Sequence, residues 1–422
     1  MKKSALLIAI SIMSACSGNT GSQASFFPVP CLENISEDSP SAYARNNYYI
    51  LGFYDDAGNR LDNFDKVSVL LSKYNSISFN NYPLPQDGLY LFDNVGKANG
   101  YYDLEGNCIL SFDKIKENIG YGVGRATNFS EGLAFIQSNT LGEQRFVINK
   151  NGDVLYETTC MAVSPFRNGY AYVEEDWNYG IISSKGEIVV KPDEEIIHNG
   201  SGTGLQHETY CVEGDDGYAI KDFSGNIVID YISYEPMWID DNGNAIYCSK
   251  EYPHNYGLVN KSGKKLTEPK YLEMKQDGEL YWFMDENENV GWCDAKGETV
   301  IPAIDRDGKP LPFYGSKYSY MRATNPNNPD EPLAYLYTKK ELNNGTYMPS
   351  KVFFNTRMLT PFVNEKAIAW DMKEDSHLIL NENDAFASAN LSSFIFISPL
   401  RWDDYENIGE YIANPLTKWH RE

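Results

Sequence analysis

Alternating apolar and polar positions recur along the chain in short runs that end at glycine-containing turns. In the clearest copies, a glycine precedes a short apolar stretch, a polar turn that ends in glycine, and a second apolar stretch. These copies occupy residues 178–192, 215–231, 255–271 and 289–304. A period of two places every second side chain on the same face of a β-strand. Each copy therefore predicts a β-hairpin.

Three weaker copies, at residues 50–64, 99–112 and 145–157, extend the same pattern towards the N-terminus. Tight hairpin turns need a residue with positive φ, which glycine adopts without steric cost. The predicted turn glycines are Gly58, Gly106, Gly152, Gly186, Gly225, Gly263 and Gly297. Their spacing, 34 to 48 residues by subtraction, lies near the period of propeller blades.

A further apolar stretch lies between successive hairpins, at residues 129–136, 166–173, 242–249 and 277–284, and predicts a third strand. A hairpin with one more strand cannot bury its apolar face alone, so the units must stack on one another. The sequence therefore predicts an all-β fold of tandem β-hairpin or three-stranded repeats. The repeats form either a propeller-like ring, which the period slightly favours, or an open β-array.

The repeats resemble the bacterial WG (KWG) repeat. The fullest match has Gly291-Trp292, then Asp294-Ala295-Lys296-Gly297, then Val300-Ile301-Pro302, and residues 129–134 carry the second half of the pattern. Other copies replace the tryptophan with tyrosine, isoleucine or leucine, which indicates that Trp292 fills the core. The resemblance implies about seven WG-like units.

The extent of the repeat pattern predicts how the chain is divided into domains. A WG-like β-repeat array occupies residues 46–305, and residues 306–422 are interpreted as degenerate or capping repeats with a C-terminal segment. Residues 16–45 form a tether and an irregular lead-in, and residues 1–15 form a signal peptide.

The first sixteen residues have two lysines, an apolar run and small residues before a cysteine, which is the order of a secretory signal. Met13-Ser14-Ala15-Cys16 resembles a lipobox, although leucine is more usual than Met13. The resemblance implies a lipoprotein with Cys16 as its lipid attachment site and the membrane as a partner. The alternative is an ordinary signal peptide cut near Ala15. Because Ser17 is compatible with outer-membrane sorting in such lipoproteins, we expect the bacterial cell envelope, at the outer membrane, on its periplasmic or surface face.

The composition is acidic, with a formal net charge of −23. Such a surface repels phosphate backbones, so nucleic acid is not an expected partner. Six cysteines remain besides Cys16, and none has a CxxC or Cys/His spacing. We interpret them as small buried apolar residues and assign no disulfide.

A search for catalytic or metal-binding patterns predicts no catalytic residue, no metal site and no cofactor. The five histidines form no paired-ligand motif, and residues 200–204 are glycine-rich but lack a following helix pattern. Residues 285–289 resemble the start of a calcium loop, yet Val290 and Lys296 occupy positions where an EF-hand needs glycine and glutamate.

Aromatic residues in less regular segments are the remaining binding candidates, because loops carry function on a repeat scaffold. These candidates are Trp177, Tyr179, Trp238, Tyr252 and Tyr256. The leading functional hypothesis is a membrane-anchored, non-catalytic module that binds a protein or a glycan. The alternatives are an envelope hydrolase or lyase on a propeller-like scaffold and a purely structural envelope component.

Overall fold

The computed structural model describes residues 29–396 with internal gaps. The gaps are residues 35–40, 56–58, 67–69, 73–84, 93–98, 141–143, 306–307, 314–315, 326, 345–348, 355, 359–365, 372, 374–375, 382–386 and 391–394. The predicted signal peptide, Cys16 and the tether as far as residue 28 lie outside the described residues, as do residues 397–422.

Small antiparallel sheets make up most of the described residues, and we name the nine sheets found there A to I. Sheet A contains β1 (Val29–Asn34), β2 (Tyr48–Tyr54), β3 (Leu70–Ser72) and the last strand, β32 (Ile395–Phe396). Sheet B contains β4 (Tyr90–Phe92), β5 (Gly100–Tyr102) and β6 (Cys108–Ser111). Sheet C contains β7 (Val123–Ala126), β8 (Leu133–Ser138), β9 (Arg145–Asn149) and β10 (Val154–Thr158). Sheet D contains β11 (Met161–Ala162), β12 (Tyr170–Glu175), β13 (Asn178–Ser183) and β14 (Ile188–Asp193).

The remaining sheets follow in chain order. Sheet E contains β15 (Ile196–Ile197), β16 (Thr209–Gly214), β17 (Gly217–Asp222) and β18 (Ile227–Ser233). Sheet F contains β19 (Asn244–Cys248) and β20 (Tyr256–Asn260). Sheet G contains β21 (Glu273–Asp277), β22 (Leu280–Met284), β23 (Val290–Asp294) and β24 (Thr299–Ile304). Sheet H contains β25 (Tyr318–Asn325), β26 (Asn328–Thr338) and β27 (Lys351–Phe354). Sheet I contains β28 (Thr356–Met358), β29 (Lys366–Asp371), β30 (Ser376–Asn381) and β31 (Ala387–Asn390).

Helices are few and short. The described α-helices are α1 (Ala42–Asn47), α2 (Phe112–Ile119) and α3 (Lys339–Asn343). Within the part of the chain that the structure describes, no helix has the length and apolarity needed to cross a bilayer.

The predicted all-β fold is confirmed, and its hairpin turns have the predicted geometry. The turn glycines within the described residues have φ between +79° at Gly263 and +87° at Gly186. Gly58 lies outside the described residues. In each described turn, a polar side chain three positions before the glycine accepts backbone N–H groups of the turn. In sheet G, for example, Asp294 Oδ1 accepts the backbone N–H groups of Lys296 and Glu298, both at 2.9 Å.

Several sheets also have a short first strand that the hydrophobic pattern does not predict. In sheet D this strand is β11, whose two residues pair with β12 in the register Met161↔Glu174. A two-residue strand is too short to show alternation in the sequence. These strands make the repeats four-stranded in sheets C, D, E and G.

The core lies between consecutive sheets. Phe135 and Val147 of sheet C pack against Ala171 and Val173 of sheet D, and similar buried clusters join D to E, E to F, F to G and G to H. Trp292 is fully buried between sheets G and H, as the sequence predicts. Its indole Nε1 donates to Asp277 Oδ2 at 2.7 Å.

A pairing between the first and last strands of the described residues closes the array into a ring. β1 pairs with β2 on one side and with β32 on the other, in the register Cys31↔Phe396 and Leu32↔Ile395. The C-terminal strand thereby completes the first sheet. Of the two arrangements that the sequence leaves open, the structure has the propeller-like ring.

Candidate functional site

Two of the five aromatic candidates are almost fully exposed. Trp177 is 88% exposed and Tyr252 is 89% exposed, whereas Tyr179, Trp238 and Tyr256 are half-buried. Because core packing accounts for a buried ring, the exposed rings are the ones available to a partner.

Trp177 lies at the tip of the hairpin between β12 and β13. Asp176 and Trp177 form a two-residue turn with φ of +51° and +67°, the left-handed conformation that tight hairpins need. Glu175 pairs with Asn178 directly below the turn. The turn therefore holds the indole in solvent, beyond the end of strands β12 and β13.

Tyr252 belongs to a cluster of three rings with Tyr234 and His254, which we call the ring cluster. The rings of Tyr234 and His254 stack with centroids 4.2 Å apart and an interplanar angle of 17°. The Tyr252 ring lies edge-on to His254 at 6.0 Å, and Tyr234 is 55% exposed. His254 Nδ1 donates to the Ser249 carbonyl at 2.9 Å, which fixes the imidazole plane. The cluster forms a small aromatic platform that faces solvent.

Tyr256 lies close to this cluster, although its ring is half-buried. Its hydroxyl donates to Glu235 Oε2 at 2.9 Å. Burial first, and then the Glu235 carboxylate, raise the pKa of Tyr256. The phenol therefore stays protonated at neutral pH, and the carboxylate of Glu235 lies beside the platform.

Tyr179 and Trp238 lie in packed surroundings away from the ring cluster. The Tyr179 ring contacts that of His198, with centroids 4.3 Å apart. Trp238 lies beside the fully buried Tyr172. The structure thus joins Tyr256 to Glu235, which follows Tyr234 of the ring cluster in the chain, and leaves Trp177, Tyr179 and Trp238 in other environments.

Sequence reasoning missed Tyr234, His254 and Glu235 as members of this site. Tyr234 and Glu235 follow β18 directly, and His254 lies in the connection from β19 to β20. Both segments break the apolar repeat, which is the signal that could have identified them together.

The topology places Trp177 and the ring cluster at the same face of the ring. Residues 176–177 connect the second and third strands of sheet D, and residues 249–255 make the corresponding connection in sheet F. In antiparallel sheets, successive connections alternate between the two ends, so equivalent connections of consecutive repeats share one end.

A cavity of about 180 Å³ lies between sheets C and D. Its lining includes Arg125, Gln137 and Arg145 from sheet C and residues 160–163, which contain the first strand of sheet D, and it includes no carboxylate. The paired carboxylates that most glycoside hydrolases use are not found at this cavity.

Residues 285–289, which resemble part of a calcium loop, form the turn between β22 and β23. Asp285 Oδ1 accepts the backbone N–H groups of Asn287 and Asn289, both at 2.9 Å. Within the described part of the chain, no group of three or more His, Cys, Asp or Glu side chains is arranged to hold a metal ion.

Comparison with protein families finds one matching family model, the WG containing repeat, at residues 146–176. This match runs from β9 to the end of β12 and so spans the junction between sheets C and D. This segment of the chain is therefore similar to a WG repeat. No curated protein matches the sequence.

The solved structures that match this chain share little sequence with it. A eukaryotic initiation factor is 10% identical with a TM-score of 0.43, over 87% of this chain and 96% of that chain. AztD from Citrobacter koseri is 12% identical with a TM-score of 0.28, over 62% of this chain and 94% of that chain. BamB from Moraxella catarrhalis is 11% identical with a TM-score of 0.30, over 59% of this chain and 78% of that chain.

Proposed function

We propose that the protein is a non-catalytic binding module of the bacterial cell envelope, anchored by lipid on Cys16, and that it binds a neutral glycan through the ring cluster. The observation that carries the proposal is the nearly parallel stack of exposed Tyr234 on half-buried His254, with exposed Tyr252 beside it. A folded repeat scaffold gains no core packing from these rings.

The chemistry of the cluster suits a sugar. The C–H face of a pyranose packs on an aromatic face, while hydroxyl and carboxylate groups at the rim bond to the sugar hydroxyls. The phenol of Tyr252 and the Glu235 carboxylate supply such groups here. A chain with a net charge of −23 repels anionic glycans at low salt, which favours a neutral one.

The binding test uses the purified full chain and an array of neutral oligosaccharides, followed by calorimetric titration of any hit. We expect Tyr234→Ala and Tyr252→Ala each to weaken binding at least tenfold, or about 1.4 kcal/mol. The matched control is Tyr43→Ala, which also removes an exposed tyrosine. An empty array would count against the glycan. Saturable binding of an envelope protein, lost in the same two variants, would replace the glycan with a protein partner.

The anchor is tested separately by fractionating cells that express the full chain or Cys16→Ala. We expect the parent chain in the membrane fraction and the variant in the soluble envelope fraction, because the acyl chains supply the membrane affinity. Equal distribution of the two proteins would contradict lipid attachment at Cys16.

A further inference from the structure

Sheet C carries a row of basic and amide side chains across its first three strands. Arg125 of β7 pairs with Gln137 of β8, and Gln137 pairs with Arg145 of β9. Directly paired residues of antiparallel strands place their side chains on one face of the sheet. Phe135, two residues before Gln137, is buried against sheet D, so the same face points at sheet D. We call Arg125, Gln137 and Arg145 the basic row.

The equivalent positions of other sheets carry the opposite charge. The row is Met161, Glu174 and Tyr179 in sheet D, Glu195, Glu213 and Tyr218 in sheet E, and Glu273, Met284 and Val290 in sheet G. Counting one charge for each Arg or Glu, the row carries +2 in sheet C, −1 in sheet D, −2 in sheet E and −1 in sheet G. The repeat fold therefore forms without arginine at these positions, and folding alone does not explain the basic row.

The two arginines are placed to receive an anion. Arg145 Nη1 donates to the Thr159 carbonyl at 2.7 Å, which holds this guanidinium at the cavity wall. Arg125 is exposed and has no hydrogen bond or ion pair with any described residue. With neighbouring strands about 4.8 Å apart, the two arginine backbones are about 10 Å apart. A carboxylate between them can accept from both guanidinium groups and from the Gln137 amide.

The rest of the cavity is largely apolar and small. Leu91, Phe135, Ile136 and Val163 contribute to its lining. Its volume is about 180 Å³. That space suits a ligand smaller than a typical drug molecule.

We propose that this cavity binds a small organic carboxylate with a short apolar tail. The carboxylate lies between Arg125 and Arg145, and the tail packs against Leu91 and Phe135. This site is separate from the ring cluster and goes beyond the glycan-binding proposal. A free carboxylic acid and the carboxyl terminus of a peptide both supply this chemistry.

The test is calorimetric titration of the full chain with hexanoate, with 1-hexanol as the uncharged match. Two variants, Gln137→Glu and Arg145→Tyr, introduce the side chains that sheet D has at the equivalent positions. A third variant, Arg125→Gln, removes the charge of an exposed residue. The control is Lys185→Gln, which removes one exposed positive charge from sheet D. Circular dichroism verifies that each variant is folded.

We expect saturable hexanoate binding, at least a tenfold loss of affinity in each of the three cavity variants, and unchanged affinity in Lys185→Gln. Hexanol should give no saturable heat at the same concentrations. The proposal is overturned if hexanoate does not bind, if hexanol binds equally well, or if Arg125→Gln and Arg145→Tyr keep the parent affinity.

A second titration distinguishes the two sources of the carboxylate. A tripeptide ending in leucine is compared with its amidated form. Tighter binding of the free-acid peptide than of hexanoate, lost on amidation, identifies a peptide terminus as the ligand. Tighter binding of hexanoate identifies a free acid. A null glycan array would leave both results standing, because the two sites share no residue.

Discussion

At the scale of single residues, Asp240 is the acid whose burial has the clearest consequence. Its side chain is 6% exposed and lies in the turn before β19. Oδ1 accepts the backbone N–H groups of Asn242 and Asn244, and Oδ2 accepts the hydroxyl of Tyr281 at 2.6 Å. Burial raises the pKa of this carboxyl to about 6, although these hydrogen bonds oppose the shift.

This raised pKa predicts that Asp240 costs stability at neutral pH. The unfolded carboxyl has a pKa near 3.8, so between about pH 4 and pH 6 the folded state binds more protons than the unfolded state. Stability from this group is therefore present below about pH 4 and is lost as the pH rises through 6. The loss amounts to about 3 kcal/mol. Asp240→Asn removes this titration, so the stability of the variant relative to the parent should rise by about that amount over this pH range.

Urea unfolding of both proteins at several pH values between 4 and 7.5 measures this difference. Tyr281→Phe is the companion variant. It removes a hydrogen bond that lowers the pKa of Asp240, so the pH range of the stability loss should move upward. A constant difference between Asp240→Asn and the parent protein would contradict the prediction.

The burial of three tryptophans shows which residue environments the sequence can predict and which it cannot. The repeat pattern correctly identifies Trp292 as a core residue, because the position after the strand glycine carries tyrosine, isoleucine or leucine in other copies. Trp177 and Trp238 both lie outside the pattern and look alike in the sequence. Trp177 is at a left-handed turn and is exposed, whereas Trp238 lies beside buried Tyr172. Only the positions of neighbouring sheets distinguish these two environments.

At the scale of elements, a carboxylate in the turn before β4 holds the turn before β8, and a carboxylate in the turn before β8 holds the turn before β12. Asp87 accepts the N–H of Gly132, and Glu131 accepts those of Asn168 and Gly169. Arg167, in the turn before β12 of sheet D, forms an ion pair with Asp241, in the turn before β19 of sheet F, two sheets along the chain. These contacts join turns that are 37 or more residues apart and so fix the positions of the sheets relative to one another.

We predict that Glu131→Ala destabilises the protein by about 2 kcal/mol, because it leaves two backbone N–H groups without a charged acceptor. Glu131→Gln should cost less, since its amide oxygen can still accept. The exposed Glu157→Ala is the matched control and should stay within about 0.5 kcal/mol of the parent. Chemical unfolding measures all three values. Equal stability of Glu131→Ala and Glu157→Ala would show that the turn contact contributes nothing.

The sequence predicts the hairpins well because their signal is local: two alternating runs and a glycine at positive φ. It does not predict the short first strands such as β11, because two residues pair there only when a neighbouring strand is in place. The basic row is also invisible along the chain, since Arg125 and Arg145 become neighbours only through the pairing register. In an alignment of the repeats, Arg145 is at the same position as Tyr179. This difference is the signal that could have identified the basic row.

At the scale of the whole molecule, closure of the ring depends on contacts between the two ends of the described chain. The β1–β32 pairing joins residues more than 360 positions apart, and no local pattern encodes it. The chain also carries 59 acidic and 36 basic residues. Mutual repulsion of this net charge opposes the folded state.

This charge predicts that added salt stabilises the protein at neutral pH. Raising sodium chloride from 0.01 M to 0.15 M shortens the screening distance from about 30 Å to about 8 Å, which weakens repulsion between distant acidic groups. We expect the Tm at pH 7.5 to rise by several degrees. The control is the same titration at pH 4.6, the isoelectric point of the sequence, where the net charge vanishes and the rise should disappear. A similar rise at both pH values would assign the effect to salt-dependent hydration, and no rise at pH 7.5 would show that the ring tolerates its charge without loss of stability.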